Sequence, residues 1–409
     1  MFRYKKDRKK GILLNLSLVS IICSLSCIFL ISTLLQKLIV IPVNQLIGSL
    51  LLIALLLVQL APRTTMRFVT LLVYFTVPIV ITLLMTGDLP LAIIEIMRYI
   101  SFFLFFCFII RSDILKEMKE YVYRNQLFLK FILLLANAII LFCLFQSDCY
   151  SYQWGSEPYF TGYTAFYHTM ASACCLLIAI SMLYIQQKER VRIYRVAYIL
   201  IPSIALFYTG ARTFLFSLVI LMIIFVKTNI KRSNYRKLTY LIAASIGTYI
   251  FFSSSMIEKF SFAANNKYVS SSMDSFTSGR NDLWEVAINS FIHDNMIFRF
   301  LGRGFTYSYS INEKATGHYL WSHSDIFNIL VCGGLLGLGA YSYIVFKACR
   351  NLFIMGKQKY KYILFLLYVM LPAILNGFYE YQHYVISAMF LYVYLSIDFD
   401  KHLTVKDQV

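Results

Sequence analysis

The stretch ILLNLSLVSIICSLSCIFLISTL, residues 12–34, contains no Asp, Glu, Lys or Arg and follows the basic segment MFRYKKDRKKG. A helix needs about 20 consecutive apolar residues to cross the hydrocarbon core of a bilayer, so this run is long enough to span one. Another apolar run follows at once. We therefore interpret residues 12–34 as an uncleaved transmembrane helix rather than as a signal peptide.

Similar runs recur along all 409 residues of the chain, which is 59% hydrophobic and only 14% charged. This composition is too apolar for a soluble globular protein. We predict an all-α polytopic membrane protein with about 12 transmembrane helices. The predicted spans are 12–34, 38–60, 68–86, 89–110, 127–146, 163–186, 194–208, 213–226, 238–256, 323–346, 362–378 and 383–399.

The basic residues predict the orientation of these spans. On one side of the membrane, the chain ends and connections carry 29 of the 38 Lys and Arg residues. Because basic residues accumulate on cytoplasmic loops, both termini are predicted to be cytoplasmic. The chain then divides into residues 1–256 with helices 1–9, one large extracytoplasmic loop at 257–322, and residues 323–409 with helices 10–12 and a cytoplasmic tail.

The net charge of +18 follows from this topology, because basic residues facing anionic lipid are expected on the cytoplasmic side. Membrane lipid is thus a predicted partner, and nucleic acid is not. The nine cysteines lie mostly in apolar spans, and no metal-spaced cluster is visible. We predict no disulfide framework, no metal and no cofactor.

Three cationic residues occupy comparable positions on the predicted outer side. Arg212 follows Gly210 at the start of a span, Arg280 follows Ser278 within the outer loop, and His323 follows Ser322 at the start of the tenth span. The free N–H groups and the dipole of a helix N-terminus favour an anion. A guanidinium adds a planar fork that matches phosphate oxygens. Together these residues predict a phosphate or diphosphate site, although Arg212 alone is also compatible with a snorkelling anchor and His323 alone with a capping or packing role.

An apolar stripe in the outer loop predicts a helix from about Gly279 to His293, with Ser278 as its N-cap. The stripe comprises Leu283, Trp284, Ala287, Ile288 and Phe291. Two placements are compatible with it: on the membrane surface, or packed against the rest of the loop.

Several short motifs together resemble the O-antigen polymerase and ligase superfamily. They are Tyr208-Thr-Gly-Ala-Arg212-Thr, Ser278-Gly-Arg280-Asn-Asp-Leu-Trp284, Gly302-Arg-Gly304, His323, and Gly333-Gly334-Leu-Leu-Gly337. The resemblance extends from about Tyr208 to Gly339. Many ligases of the family have Asn after the histidine, whereas Ser324-Asp325 follow it here.

The resemblance implies a GT-C-like fold and a metal-independent glycosyltransferase that uses an undecaprenyl-diphosphate-linked glycan, with inversion or with retention. In that family, the arginines that match Arg212 and Arg280 engage the diphosphate, and the histidine that matches His323 acts near the acceptor hydroxyl. The implied enzyme is a Wzy-type polysaccharide polymerase in the cytoplasmic membrane of a bacterium. A flippase and a chain-length regulator would be candidate partners.

Second candidates for contacts with the glycan in an outer vestibule are Trp154, Glu157, His168, Arg303, Asp325, Glu380 and His383. For the segment containing Trp154 and Glu157, an interfacial aromatic belt is the alternative. Glu95 and Arg98 are spaced i,i+3 on the fourth span and are predicted to form a buried pair.

Two other functions remain open from sequence. One is a ligase that joins a finished polymer to a surface acceptor. The other is a lipid-linked oligosaccharide flippase or transporter, which is expected to carry polar groups throughout its membrane interior. Here the pair Glu95–Arg98 is nearly alone there.

Overall fold

The computed structural model describes residues 17–39, 41–59, 65–152, 158–186, 193–230, 233–254, 280–355 and 359–397. Within these ranges the chain forms sixteen α-helices, one 3₁₀ turn and one two-residue hairpin. The predicted all-α class is therefore confirmed.

The helices before the outer loop are α1 Leu18–Leu34, α2 Val43–Gln59, α3 Thr65–Met85, α4 Leu89–Ile109, α5 Ser112–Arg124, α6 Gln126–Leu144, α7 Tyr167–Gln186, α8 Ile193–Tyr208, α9 Arg212–Asn229 and α10 Ser233–Ser253. Those that follow are α11 Arg280–His293, α12 Met296–Leu301, α13 Tyr307–Thr316, α14 Asp325–Met355, α15 Tyr360–Leu375 and α16 Gln382–Ser396. The 3₁₀ turn is Ser147–Cys149, and the strands are β1 Tyr150–Ser151 and β2 Tyr159–Phe160.

Each of the twelve predicted apolar runs overlaps one of these helices. By length and composition, five described helices are able to cross a membrane: Leu89–Ile109, Gln126–Leu144, Tyr167–Gln186, Arg212–Asn229 and Asp325–Ile354. Other apolar helices, such as Leu18–Leu34 and Val43–Gln59, are shorter. The protein is thus a membrane protein, while the total of twelve spans and the side on which the loop lies stay predictions.

Helices α7 and α16 form the centre of the molecule and pack against each other. Every residue from Met170 to Ile185 is buried, as is every residue from His383 to Leu395. A helix that is apolar on all sides is expected to lie inside a bundle. Two hydroxyl groups of α16 bond to neighbouring helices: Tyr384 donates to Ser217 Oγ at 2.5 Å, and Ser387 pairs with Tyr368 of α15 at 2.6 Å.

Helix α5 lies between the predicted spans 89–110 and 127–146 and corresponds to none of them. It is amphipathic and buries Ile114, Leu115, Met118, Tyr121 and Val122. Its pattern of apolar residues three and four positions apart, within a charged segment, is the signal that a search for long apolar runs misses.

The predicted helix in the outer loop is confirmed as α11, Arg280–His293, while its predicted N-cap Ser278 lies outside the described residues. Trp284 on α11 stacks on Phe327 of α14, with ring centroids 5.4 Å apart, and its indole N–H donates to Ser322 O at 3.0 Å. The helix therefore packs against α14 and against the loop helix α13, while its position relative to the membrane surface stays a prediction.

Helix α14 is broken at Gly334, where φ is 63° and ψ is −166°. The segment 302–304, after α12, lies against the break, with Arg303 N donating to Val331 O at 3.2 Å and Gly304 N to Cys332 O at 2.8 Å. A Cβ on Gly302 would lie 2.1 Å from Cys332 O, so only glycine permits this approach. Gly333 and Gly337 face Pro78 of α3, where small residues allow the two helices to pack closely.

Candidate functional site

Arg212 is placed by a tight turn between α8 and α9. Gly210 has φ 64°, and a Cβ there would lie 2.5 Å from the ring of Tyr159 on β2. Glycine therefore allows the hairpin to cover the turn. Helix α9 begins at Arg212, as predicted. The tyrosines Tyr159 and Tyr167 and a second cation, Arg280, act on the Arg212 guanidinium electrostatically.

Arg280 is the first residue of α11, and its guanidinium donates to the carbonyl oxygen of Leu375, the last residue of α15. Burial lowers the pKa of Arg280, and the nearby side chains Tyr381 and Tyr167 oppose this shift. In the described part of the chain, no carboxylate forms an ion pair with Arg280. A cation buried without an acidic partner is poised for an anion from outside the protein.

His323 lies two residues before α14 rather than in its first turn, which corrects the predicted geometry. The helix begins at Asp325, and Ser324 O accepts its first hydrogen bond, from Asn328 N, at 2.9 Å. Ser322 is therefore not the N-cap. His323 itself has φ 49°, a left-handed conformation that is uncommon for a residue with a side chain. Its ring centroid is 5.0 Å from that of Trp321.

The His323 imidazole is held neutral. Burial, and secondly the positive charge of Arg280, lower the pKa of His323 to about 3, whereas a hydrogen-bonding contact with Asn376 opposes the shift. An exposed imidazole has a pKa of about 6.5, so burial accounts for most of the difference. Among the described residues, Nδ1 of His323 has no hydrogen-bond partner.

The α15–α16 turn, residues 376–381, connects these groups through Asn376, which was not among the predicted site residues. Asn376 contacts His323, and its Nδ2 donates to Tyr381 Oη at 3.1 Å. Tyr381 in turn lies in the electrostatic field of Arg280. The dipeptide Asn376-Gly377, a common turn signal at the end of an apolar run, is the sequence feature from which this turn could have been predicted.

Asp325 anchors the same turn from below. Its Oδ2 accepts hydrogen bonds from Phe378 N at 2.8 Å, Tyr379 N at 3.1 Å and Tyr341 Oη at 3.0 Å. The side chain is fully buried. Asp325 was predicted as a vestibule residue, and the structure places it under the turn that carries Asn376.

His168 shares the aromatic neighbour Tyr167 with Arg212 and Arg280. Its ring centroid is 4.1 Å from that of Tyr167 and 5.7 Å from that of Tyr381. Both tyrosines also act on Arg280. Of the second candidates, His168 is the one that the structure places with Arg280 by shared neighbours.

Glu380 belongs to a buried ion-pair cluster with the predicted pair Glu95–Arg98. Arg98 Nη1 lies 2.7 Å from Glu95 Oε1 and 2.5 Å from Glu380 Oε1. Tyr309 Oη on α13 also donates to Glu95 Oε1, at 2.9 Å. Burial and the charge of Glu95 raise the pKa of Glu380.

The other second candidates lie elsewhere. The His383 ring stacks on Phe29 of α1 at 4.4 Å, and its Nε2 pairs with Thr33 Oγ1 at 2.7 Å, so this histidine packs helices together. Arg303 forms two hydrogen bonds of 2.6 Å with Asp294. Trp154 and Glu157 lie outside the described residues. Across the described ranges, no three His, Cys, Asp or Glu side chains are grouped as metal ligands would be.

A comparison with protein families matches residues 197–342 to the family described as O-antigen ligase. The matched range contains Arg212, Arg280 and His323. It confirms, over this segment, the predicted resemblance to the O-antigen polymerase and ligase superfamily. No curated protein matches the chain.

Proposed function

We propose that this protein is a membrane glycosyltransferase that polymerises lipid-linked repeat units at the outer face of the bacterial cytoplasmic membrane. The glycan is transferred from undecaprenyl diphosphate to the non-reducing sugar of a second lipid-linked unit. The family match over residues 197–342 supports glycosyl transfer as the reaction class.

One observation carries this proposal: Arg280 lies within electrostatic reach of two other basic side chains from separate segments. Arg280 acts electrostatically on both Arg212 and His323. Since like charges repel, such an arrangement is costly in the unliganded protein and becomes favourable when an anion binds. A diphosphate, with several oxygens and more than one negative charge, fits two guanidinium groups.

Arg212, Arg280 and His323 together account for the two requirements of the reaction: charge stabilisation on the leaving group and removal of a proton from the acceptor. The bond between the anomeric carbon and the diphosphate oxygen breaks, and negative charge develops on the departing diphosphate. Arg212 and Arg280 stabilise that charge, in place of a general acid. The acceptor hydroxyl oxygen forms the new bond to the anomeric carbon and loses its proton.

His323 is the residue that we assign to that proton. Its imidazole is neutral, and Nδ1 is available. A base with a pKa of about 3 would be weak, but the low value has Arg280 among its causes. A diphosphate bound at Arg280 offsets that positive charge and raises the pKa of His323, so the base becomes stronger when the donor is present.

The test is product analysis with purified protein in lipid nanodiscs and a defined undecaprenyl-diphosphate-linked repeat unit. We expect a ladder of lipid-linked oligomers that is lost in Arg280→Ala. Arg299→Ala is the matched control, because Arg299, also in the outer loop, likewise donates to main-chain oxygens, those of Asp294 and Ile292. No oligomer with the wild-type protein, or an unchanged ladder in Arg280→Ala, contradicts the proposal.

A ligase is the second candidate, because the matched family is described as O-antigen ligase. A ligase would transfer a preassembled polymer to a different surface acceptor and would not lengthen the lipid-linked glycan. Supplying both acceptors in the same assay separates the two functions by the mass of the product.

A further inference from the structure

The cluster of Glu95, Arg98 and Glu380 has no part in the transfer chemistry described above. Glu95 and Arg98 lie on α4 and Glu380 lies on the α15–α16 turn. One terminal nitrogen of Arg98 serves both carboxylates, so two acids share a single cation.

Several hydrogen-bonding atoms of this cluster are unused. Glu95 Oε2 and Glu380 Oε2 are buried without a partner in the described structure, and the Glu380 side chain is only 9% exposed. Both bonds of Arg98 use Nη1, and its side chain is 33% exposed. Buried acceptors without a partner carry a free-energy cost that a donating ligand removes.

The unused atoms define the chemistry of a ligand. A carboxyl oxygen without a partner can accept from a donor, and the partly exposed guanidinium of Arg98 can donate to an acceptor. A hydroxyl group supplies both, and neighbouring hydroxyls on one ring supply several. The ring of Tyr309, which donates to Glu95, lies 5.3 Å from that of the half-exposed Tyr319. Aromatic rings beside a few polar groups are typical of sites for ligands with both apolar and polar faces.

The cluster is connected to His323 through two intervening residues, Gly377 and Trp321. A Cβ placed on Gly377 would lie 2.4 Å from the Trp321 ring and 3.3 Å from Glu380 Cβ. The Trp321 ring in turn packs against His323 at 5.0 Å. The next residue after Glu380, Tyr381, lies in the field of Arg280. The α15–α16 turn therefore contacts both the cluster and the proposed transfer site.

We propose that Glu95, Arg98 and Glu380 form a sugar-binding subsite for the acceptor glycan. Sugar hydroxyls donate to the two glutamates and accept from Arg98, which holds the acceptor beside His323. The assignment to the acceptor rests on the proposed function, whereas sugar binding at the cluster does not.

Binding is tested first, without turnover. The probe is the repeat-unit oligosaccharide released from the lipid-linked glycan of the source bacterium by mild acid. Its binding to the full-length protein in nanodiscs is measured by saturation-transfer NMR. We expect Glu380→Gln and Arg98→Lys each to weaken it about 10- to 100-fold, because a hydrogen bond to a charged group is lost. Undecaprenyl diphosphate binding should stay unchanged in both.

Asp294→Asn is the matched control, because Asp294 is also a carboxylate paired with an arginine, Arg303, in the outer loop. Thermal unfolding and size-exclusion profiles verify that each variant is folded. If Glu380→Gln is not recovered folded, Arg98→Lys decides, since it retains the positive charge between the two carboxylates. Unchanged oligosaccharide binding in the folded variants, or no saturable binding to the wild type, overturns the subsite.

Kinetics then separate this inference from the proposed function. An increase in the acceptor KM with an unchanged donor KM supports the acceptor assignment, and a fall in kcat alone refutes it. If the wild type binds oligosaccharide through the cluster but neither binds undecaprenyl diphosphate nor forms product, the proposed function fails while the subsite stands.

Discussion

Replacing Arg280 by Lys or by Ala tests whether its guanidinium holds the departing diphosphate. Arg280 is held by Leu375 O and has Arg212 within electrostatic reach. Lysine keeps the charge but loses the second of two parallel hydrogen bonds to phosphate. A hydrogen bond to a charged group contributes about 1.5–3 kcal/mol, which corresponds to a reduction in kcat/KM of about 10- to 150-fold. Alanine loses both bonds, so about 100-fold or more is expected.

The same substitutions should leave the unliganded protein intact, and this separates the function of Arg280 from its packing. Removing a buried cation near a second cation relieves desolvation and repulsion. The lost bond to Leu375 O costs about 1 kcal/mol in the opposite direction. We therefore expect the free energy of unfolding of Arg280→Ala to stay within about 1 kcal/mol of wild type.

The assay is oligomer formation from the purified lipid-linked repeat unit, with thermal unfolding measured on the same preparations. Arg299→Lys and Arg299→Ala serve as controls. Activity of Arg280→Ala within about two-fold of wild type would refute the diphosphate assignment. A large loss of stability that parallels the loss of activity would instead show that Arg280 acts by packing.

Further predictions concern the base, the anchor, the topology and the absence of a metal. Because the pKa of His323 is lowered to about 3, protonation of His323 should not reduce kcat/KM, which reports the free enzyme, between pH 5 and 8. In contrast, kcat, which reports the donor complex, should decrease as the pH is lowered. The folded protein favours neutral His323, so the contribution of His323 to the free energy of unfolding is fully present above about pH 6.5 and is lost as the pH falls toward 3. Unfolding of wild type and of His323→Gln, measured at a series of pH values, will verify this. Asp325→Ala should lower the free energy of unfolding by about 3 kcal/mol or more, since three donors lose their acceptor, and Asp325→Asn should lower it less. Melting temperatures equal to that of wild type would contradict this. In intact cells, a cysteine at the exposed Lys314 should react with an impermeant thiol reagent and one at the buried Asn312 should not; labelling of Lys314→Cys only after membrane rupture would reverse the predicted orientation. Chelation of divalent cations should leave oligomer formation unchanged, and a loss that magnesium restores would contradict the predicted metal-free reaction.

Local sequence signals predicted most of the long helices and the placement of Arg212 and Arg280 at helix starts. Arg212 follows a glycine turn at the edge of an apolar run, and Arg280 opens an amphipathic helix, so each position follows from its immediate neighbours. His323 was misplaced by two residues, because Ser322 and Ser324 are both acceptable caps and the sequence does not choose between them. The position of His323 relative to the start of α14 decides whether the helix dipole or burial has the larger effect on the pKa of His323.

Contacts between distant segments could not be predicted from one sequence. In the sequence, Asp325 and Glu380 are simply polar residues near the predicted membrane edge. Nothing in their neighbouring residues indicates that Asp325 accepts hydrogen bonds from the α15–α16 turn or that Glu380 pairs with Arg98. Those roles depend on how α4, α14 and α15 pack, since the partners are 50 or more positions apart in the chain. Tertiary packing, rather than propensity, sets them.

Because residues 302–304 supply main-chain donors to the break in α14, the outer loop is not an interchangeable module. Carbonyl groups freed by a broken helix must find partners where water is scarce. A chimera that imports the loop of a relative without the matching half of α14 would leave the Val331 and Cys332 carbonyls unsatisfied. Recombination between relatives is thus expected to succeed when the crossover lies beyond Gly334, so that loop and helix are inherited together.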